Sequence, residues 1–305
     1  MALRSPGRVS ARREPMPDSL GDRRRALRAR RLRRGVVGWL LVVPAGVAYA
    51  VFVLSPRGRT IHYSRYDWNG IARNSDLYGP LLNAFQLIIY FSFVPVAIGL
   101  FTANAIRGFA TSRLALVART VLFLPQIIPL VAAGIMWSWL FASHGMINQL
   151  LRAVGLDAVT RAWLGDFRTA LPAVGVIGAW VAIGLCMLLL LAGMTKIDPA
   201  LYEAARIDGA GPVREFFAIT LPSLRQEISV CLTVTIIAAL ASFDIIYIST
   251  QGGPGNRTLV PGLEIYYLAF FQREVGQASA LAVVLTLLVL AIVLPTQVLN
   301  REDRS

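Results

Sequence analysis

The residues of this chain that could carry out covalent chemistry are few and scattered. Its only lysine, Lys196, follows the stretch 191–195, which lacks the glycine-rich spacing of a phosphate-binding loop. The two histidines, His62 and His144, lie far apart, and neither has an adjacent glutamate as in a zinc-hydrolase motif. The hydroxyl and acidic residues do not form a recognisable nucleophile–base–orienter set. The sequence therefore predicts no catalysis by this chain alone.

Charged residues gather instead in one segment, 195–227, between two long apolar stretches. Asp198 can cap a helix that starts at Pro199, where a missing N–H costs nothing. Gly209 can end that helix, and Gly211-Pro212 can start a second one. The segment thus predicts a helix, a glycine break and a second helix at a membrane surface, on which a partner protein acts.

The second helix of this segment is expected to end at Leu221-Pro222. An amphipathic hairpin resting on lipid is the alternative for the whole segment. It would explain the apolar residues Phe216, Phe217 and Ile219, but it would place acidic side chains beside an anionic surface.

Composition and hydropathy place the chain in a membrane. Of its 305 residues, 56% are hydrophobic and only 15% are charged, and the mean hydropathy is +0.60. Apolar runs of about 20 residues can cross a bilayer as helices. Six such runs are present, at 36–55, 81–103, 119–142, 171–194, 228–250 and 276–299. Both cysteines, Cys186 and Cys231, fall inside these runs and are predicted to be buried apolar residues.

Positive charge concentrates at the N-terminus. Twelve of the 30 basic residues precede Gly35, and all twelve are arginines. This cluster predicts a cytoplasmic anchor beside anionic lipid. Nucleic-acid binding is disfavoured because the run lacks aromatic residues for stacking and leads directly into a membrane span. We expect an Arg-rich extension at 1–35, a six-span domain at 36–300 and a tail at 301–305, with both termini in the cytoplasm.

Three stretches of the sequence resemble a known family. The first matches the permease signature of ATP-binding-cassette (ABC) importers, at Glu203-Ala204-Ala205, Gly209, Ile219 and Leu221-Pro222. The second is similar to maltose-permease-like members of the carbohydrate branch and comprises Phe243-Asp244, Tyr247, Thr250 and Gly252-Gly253-Pro254-Gly255. The third comprises Leu124-Pro125-Gln126-Ile127-Ile128-Pro129, followed by Trp137, Trp139-Leu140-Phe141, Gly145 and Asn148. The resemblance covers roughly 36–300, with a longer N-terminal extension and a shorter first external loop than is usual.

The resemblance implies an all-α integral membrane protein with six transmembrane helices and a cytoplasmic coupling hairpin between spans four and five. It would be a permease subunit of an ATP-driven, binding-protein-dependent importer in the bacterial inner membrane, with di- or oligosaccharides as substrates. Its partners would be a second homologous permease, two ATPase subunits that bind ATP and Mg²⁺, an external substrate-binding protein and membrane lipid. Two alternatives stay open: an ion-coupled secondary transporter, and an ABC importer for glycerol phosphates or polyols.

The same resemblance assigns contact with the ATPase to the hairpin at 200–213. A short helix followed by a glycine turn would present its exposed side chains to a groove of the partner. The residues expected to carry this contact are Tyr202, Glu203, Ala204, Ala205, Arg206, Asp208, Gly209 and Ala210.

The substrate pathway is expected to run beside spans four and five. Thr235, Ala239 and Ser242 recur at helical spacing, so they predict one face that either borders a pathway or permits close helix packing. Trp180 either stacks on a sugar ring or packs between helices. Asp244, the only charge well inside a span, either contacts substrate or is satisfied by neighbours near the interface.

Overall fold

The computed structural model describes residues 43–44, 46–65, 78–108 and 112–299, and for 296–299 it describes the backbone only. The chain divides into a unit that ends at Arg59 and a second unit that begins at Thr60. The predicted extension at 1–35 and tail at 301–305 lie outside the described residues. Within the described ranges the chain forms helices and turns and no strand, in agreement with the all-α prediction.

The helices of the described ranges have the following bounds. In chain order they are α1 (Ser55–Ser64), α2 (Tyr78–Ile88), α3 (Val94–Arg107), α4 (Arg113–Phe123), α5 (Leu130–Leu140), α6 (Met146–Ala153), α7 (Ala170–Met194), α8 (Pro199–Ile207), α9 (Pro212–Glu215), α10 (Leu221–Ser223), α11 (Arg225–Leu240), α12 (Asp244–Ser249), α13 (Pro261–Tyr266) and α14 (Val275–Leu299). Single π-helical turns lie at Ala50–Leu54, Ile89–Phe93, Phe216–Thr220 and Tyr267–Phe271, and 3-10 turns at Leu124–Ile127 and Asp157–Val159.

Between three and five stretches of the described chain can cross a bilayer. Three are unbroken, at Tyr78–Arg107, Ala170–Met194 and Val275–Pro295. Two more are helix pairs bent by 102° and 69°, at Arg113–Ile127 with Leu130–Leu140 and at Pro212–Ser223 with Arg225–Leu240. The sequence predicts six spans over the full length, and the first predicted run lies partly outside the described residues. A membrane protein of several apolar helices is confirmed, and the number six stays a prediction.

The third and fifth predicted runs are not continuous helices. In the third run Ile128 is extended, with ψ 127°, and Pro129 separates the 3-10 turn from α5. Proline lacks an N–H and disfavours helical geometry in the residue before it, so the helix stops here. In the fifth run α11 ends at Leu240 and α12 begins only at Asp244. The prediction that 119–142 and 228–250 are each one helix is therefore wrong.

The hairpin also ends slightly later than predicted. Its last helical turn, α10, runs through Leu221-Pro222 to Ser223, and the chain bends at Leu224. Pro222 is tolerated near the start of α10 because a residue in a first helical turn needs no N–H partner.

The centre of the second unit is built around α7. Helix α3 packs along α7, and the glycines Gly175 and Gly178 of α7 lie against the rings of Tyr90 and Phe91. Small residues let helices approach closely in a membrane, where packing replaces the hydrophobic effect as the driving force. Cys186 and Cys231 belong to a buried cluster near the hairpin end of α7 and are 0% and 1% exposed. Their predicted burial is confirmed.

Candidate functional site

The segment 198–223 folds locally as the sequence predicts. Asp198 caps α8, because a backbone N–H of the first turn donates to its carboxylate at 2.9 Å, and Pro199 takes the first helical position. Gly209 follows α8 with φ +78°, the left-handed region that favours glycine. Gly211-Pro212 then begins α9. The predicted order of helix, glycine break and helix is confirmed.

Two pairs of side chains join the halves of this hairpin. Arg206 pairs with Glu215, with 2.8 Å between Nε and Oε1 and 3.4 Å between Nη2 and Oε2. The hydroxyl oxygens of Tyr202 and Thr220 lie 3.0 Å apart. The hydrogen bond from Arg206 holds the pKa of Glu215 below its usual value, and the carboxylate in turn raises the pKa of Arg206. The hairpin is therefore cross-linked independently of its backbone turn.

The hairpin presents an exposed face that mixes charge with apolar surface. Glu203 and Asp208 are exposed, and the apolar side chains of Ile207 and Val213 are 87% and 72% exposed. Large exposed apolar side chains beside carboxylates suit a protein partner better than an anionic lipid surface. Tyr202 differs from the other predicted coupling residues, because it is buried and faces the hairpin interior. The remaining predicted coupling residues are exposed or half-buried: Ala204, Ala205, Arg206, Gly209 and Ala210.

The ends of the two long helices that lead into and out of the hairpin are also joined. Lys196, two residues after α7, forms an ion pair with Glu227 in the first turn of α11, with 3.0 Å between Nζ and Oε1. Gly193 lies directly against the Glu227 side chain, so the approach of α11 to α7 is close at this point. The hairpin therefore leaves α7 and enters α11 at a point where these two helices are held together.

A cavity of 540 Å³ lies where the breaks in the third and fifth predicted runs come together. The stretches 126–130 and 241–245 both line it, and Phe91 together with residues of α7 and α11 forms the rest of the wall. Broken helices leave backbone groups without helical partners, and in membrane proteins such breaks are tolerated where they line a cavity. The cavity therefore gives a structural reason for both breaks.

Three polar side chains in the cavity wall are available to a ligand. Gln126 and Asp244 are exposed and have no hydrogen-bond or ion-pair partner among the described residues. The hydroxyl of Ser242 is buried and also has no hydrogen-bond partner among the described residues. Thr235 also lines the cavity, but its hydroxyl donates to the Cys231 carbonyl of its own helix at 2.8 Å. An unpaired buried hydroxyl such as that of Ser242 is costly, and Gln126 and Asp244 leave further polar groups free beside it, so this arrangement favours a polar ligand.

The structure brings together some of the predicted pathway residues and separates others. Thr235, Ser242 and Asp244 line the cavity. Ala239 is fully buried in the core, and Trp180 packs edge-to-face on Trp137 with 5.5 Å between ring centroids, so neither lines the cavity. The proposed common helical face does not include Ser242, because α11 ends two residues before it. Ser242 reaches the cavity from the linker between α11 and α12 instead.

Among the lining residues that sequence reasoning did not assign to this cavity are Gln126 and Phe243. The spacing of Pro125 and Pro129 was an available signal, since two prolines four residues apart interrupt a helix and leave the residues between them beside a break. Phe243 stacks on Tyr247, with ring centroids 5.2 Å apart and planes 12° from parallel. No local pattern predicts that stacking.

A helical membrane domain, two broken helices around a cavity with a few polar groups in its wall, and an exposed charged hairpin describe a polytopic transport subunit. The model of the family described as "Binding-protein-dependent transport system inner membrane component" matches residues 95–301. The chain belongs to this family. It is a non-catalytic inner-membrane permease subunit of an ABC transporter, in which separate subunits hydrolyse ATP. This membership excludes the ion-coupled alternative.

Curated relatives align over most of this chain. It is 31% identical to the diacetylchitobiose uptake system permease protein NgcF of Streptomyces coelicolor, over 97% of this chain and 91% of that protein. It is 32% identical to the lactose transport system permease protein LacF of Rhizobium radiobacter, over 83% and 90%. A crystal structure of a bacterial ABC transporter involved in the import of the acidic polysaccharide alginate contains a chain of the same fold, with TM-score 0.77, 21% identity and coverage of 90% and 98%.

Proposed function

We propose that this chain is one half of the membrane pathway of a sugar importer and that the 540 Å³ cavity binds the sugar. Its volume lies within the range of about 300–1,000 Å³ typical of small-molecule sites. Unpartnered polar groups at Gln126, Ser242 and Asp244 would meet sugar hydroxyls, and Phe243 adds an aromatic ring to the wall. This combination of polar groups and an aromatic ring in an apolar wall is the observation that carries the proposal.

The charge of the cavity favours a neutral sugar over a glycerol phosphate. Asp244 contributes a carboxylate, and the described lining residues include no lysine or arginine. A phosphate would lack a cationic partner there and would meet a like charge. The names of two relatives, NgcF and LacF, concern disaccharides. These facts together support a di- or oligosaccharide as the substrate.

The proposed assembly contains a second permease, two ATPase subunits and an external binding protein. The hairpin at 198–223 would contact an ATPase through its exposed face, with Glu203, Ile207 and Asp208 at the centre. ATP and Mg²⁺ would bind the ATPase subunits. ATP-driven movement of the hairpin would then change the separation of α7 and α11, which border the cavity, and so open it to alternate sides of the membrane.

The proposed orientation keeps the six spans, cytoplasmic termini and cytoplasmic hairpin of the sequence prediction. It is supported by the arginine cluster before Gly35. The loops 143–169 and 250–260 would then be external, where a binding protein delivers its sugar.

The proposal is tested by uptake in proteoliposomes that contain the whole importer with its binding protein. Labelled disaccharide should be taken up with ATP, and glycerol 3-phosphate should not. Gln126→Leu removes a hydrogen-bonding group, and Asp244→Asn replaces charge-assisted hydrogen bonds by neutral ones. Each should raise the KM for sugar about threefold to tenfold.

Ser249→Ala is the matched control, because the Ser249 hydroxyl bonds to its own helix at the Ile245 carbonyl and does not line the cavity. It should leave the KM unchanged. Fully assembled Gln126→Leu and Asp244→Asn importers with wild-type KM for every sugar tested would contradict the proposed site.

A further inference from the structure

One arginine outside the hairpin lies in contact with it. Arg107 is the last residue of α3, and its guanidinium carbon is 4.0 Å from the centroid of the Tyr202 ring. Tyr202 is only 6% exposed. A guanidinium this close to an aromatic ring is held by a cation–π interaction, which strengthens when the ring is shielded from water. Arg107 therefore joins α3 to α8, although 95 positions separate the two residues.

The same arginine also acts on the second helix of the hairpin. Glu215 of α9 is 6% exposed and hydrogen-bonded to Arg206. Beyond that bond, the positive charge of Arg107 adds to the electrostatic stabilisation of the Glu215 carboxylate. Arg107 thus attracts a ring on α8 and a carboxylate on α9, and these two helices are already joined by Arg206–Glu215 and Tyr202–Thr220.

The helical stretch that ends at Arg107 also borders the cavity. Tyr78–Arg107 is continuous through its π-helical turn, and Phe91 within it lines the cavity wall. Phe91 and Arg107 are separated by 16 residues, or about 24 Å along a helix. One unbroken element therefore connects the surface of the hairpin to the wall of the cavity, in addition to α7 and α11.

We propose that Arg107 is a positioning residue that fastens the hairpin to α3, so that movement of the hairpin also moves the Phe91 side of the cavity. This inference rests on the proposed function, because it assigns a second mechanical connection to the hairpin that contacts the ATPase. Without Arg107 the hairpin stays attached through α7 and α11, and the stretch that carries Phe91 follows it only through the packing of α3 on α7. ATP would still be hydrolysed, with less sugar moved per ATP.

The test measures sugar uptake and ATP hydrolysis in the same proteoliposomes, with the whole importer present. Arg107→Gln should lower the ratio of sugar transported to ATP hydrolysed by about threefold or more, because the side chain loses its cation–π contact with Tyr202. Arg107→Lys should keep most of the ratio, because an ammonium group can also lie over the ring. Assembly is checked by co-purification of all subunits.

The control is Arg113→Gln, which removes one exposed arginine at the start of α4 just beyond α3. If Arg107 acts only through lipid headgroups or total basic charge, Arg113→Gln and Arg107→Gln will lower the ratio equally, which would overturn the inference. A double variant, Arg107→Gln with Tyr202→Leu, should lose less than the sum of the two single losses, because both single variants remove the contact between the guanidinium and the ring. Strictly additive losses would also overturn it.

Two further results keep the test decisive. If Arg107→Gln does not assemble, Arg107→Lys must restore both assembly and the transport ratio, and failure of that rescue refutes a role for the cation over the ring. Glu203→Lys tests the hairpin itself, and uncoupling of transport from hydrolysis by this variant supports its contact with the ATPase. If Arg107→Gln nevertheless transports with the wild-type ratio, the role of Arg107 alone is refuted. The two proposals can therefore fail separately.

Discussion

Single residues shape the hairpin either through the backbone or through distant contacts. Asp198, Pro199 and Gly209 act on the backbone next to them, so the local sequence predicts their roles and the structure confirms these. Arg107 and Thr220 act by meeting Tyr202 across the fold. The choice of such partners depends on how α3, α8 and the π-helical turn pack in three dimensions. No periodicity or spacing in the sequence carries that information.

Gly209 provides a test of the backbone alone, because a Cβ at this position would meet nothing within 4 Å. With φ at +78°, Gly209→Val should introduce strain of about 1 kcal/mol or more without any clash. We expect sugar uptake per ATP to fall while the subunits still assemble. Gly209→Asn is the matched control, since asparagine tolerates this conformation, and it should couple nearly normally. Equal uptake by the valine variant and the wild type would show that the turn geometry is unimportant.

The ion pair of Glu215 with Arg206 should hold the two helices of the hairpin together in mild acid. Its folded pKa lies below the ordinary 4.5 because Arg206 hydrogen-bonds to it. Because the pKa of Glu215 is lower in the folded hairpin than in the unfolded chain, its carboxylate stabilises the hairpin fully above about pH 4.5. This stabilisation disappears as the pH falls through the folded pKa. Hydrogen exchange of the 199–220 backbone, corrected for its intrinsic pH dependence, should therefore be unchanged between pH 7.5 and 5.5. Glu215→Gln should exchange faster at every pH, and protection lost above pH 5 in the wild type would contradict this account.

At the scale of elements, the apolar runs locate the helices but do not reveal where they break. Runs two, four and six coincide with the unbroken stretches Tyr78–Arg107, Ala170–Met194 and Val275–Pro295. Runs three and five are interrupted at Ile128-Pro129 and at 241–243. Nearly every residue in these runs is apolar, so hydropathy is the same on both sides of a break. The prolines signal the first break, and the second has no comparable signal.

Close contact between α7 and the end of α4 gives a test of packing. A Cβ at Gly184 would lie 2.6 Å from the Phe123 Cα and still closer to the Leu122 carbonyl oxygen. Backbone atoms cannot move aside cheaply, so Gly184→Ala should destabilise the subunit by about 1–3 kcal/mol. Thermal unfolding of the purified importer should show a lower midpoint. Gly58→Ala, inside α1 with nothing within 4 Å, should not lower the midpoint. An equally stable Gly184→Ala importer would contradict the packing described here.

At the scale of the whole molecule, the hairpin and the 250–260 loop lie at opposite ends of the stretch formed by α11 and α12. The hairpin precedes α11, and the loop follows α12. The loop is a fixed structure: Thr250 and Thr258 hydroxyls lie 2.7 Å apart, and Asn83 donates to the Leu259 carbonyl at 2.8 Å. Force from an ATPase and delivery of a sugar would therefore act at opposite ends of α11, with the cavity between them.

Cysteine labelling can determine which end faces the cytoplasm. The two native cysteines are 0% and 1% exposed, so background labelling should be low. Arg214 on the hairpin and Arg257 in the loop are both exposed and can each be replaced by cysteine. In right-side-out membrane vesicles, a membrane-impermeant maleimide should label Arg257→Cys directly and Arg214→Cys only after permeabilisation. The reverse pattern would invert the orientation, place the hairpin outside, and so remove it from any ATPase. Labelling of both positions without permeabilisation would mean that α11 and α12 do not separate the hairpin from the loop across the membrane.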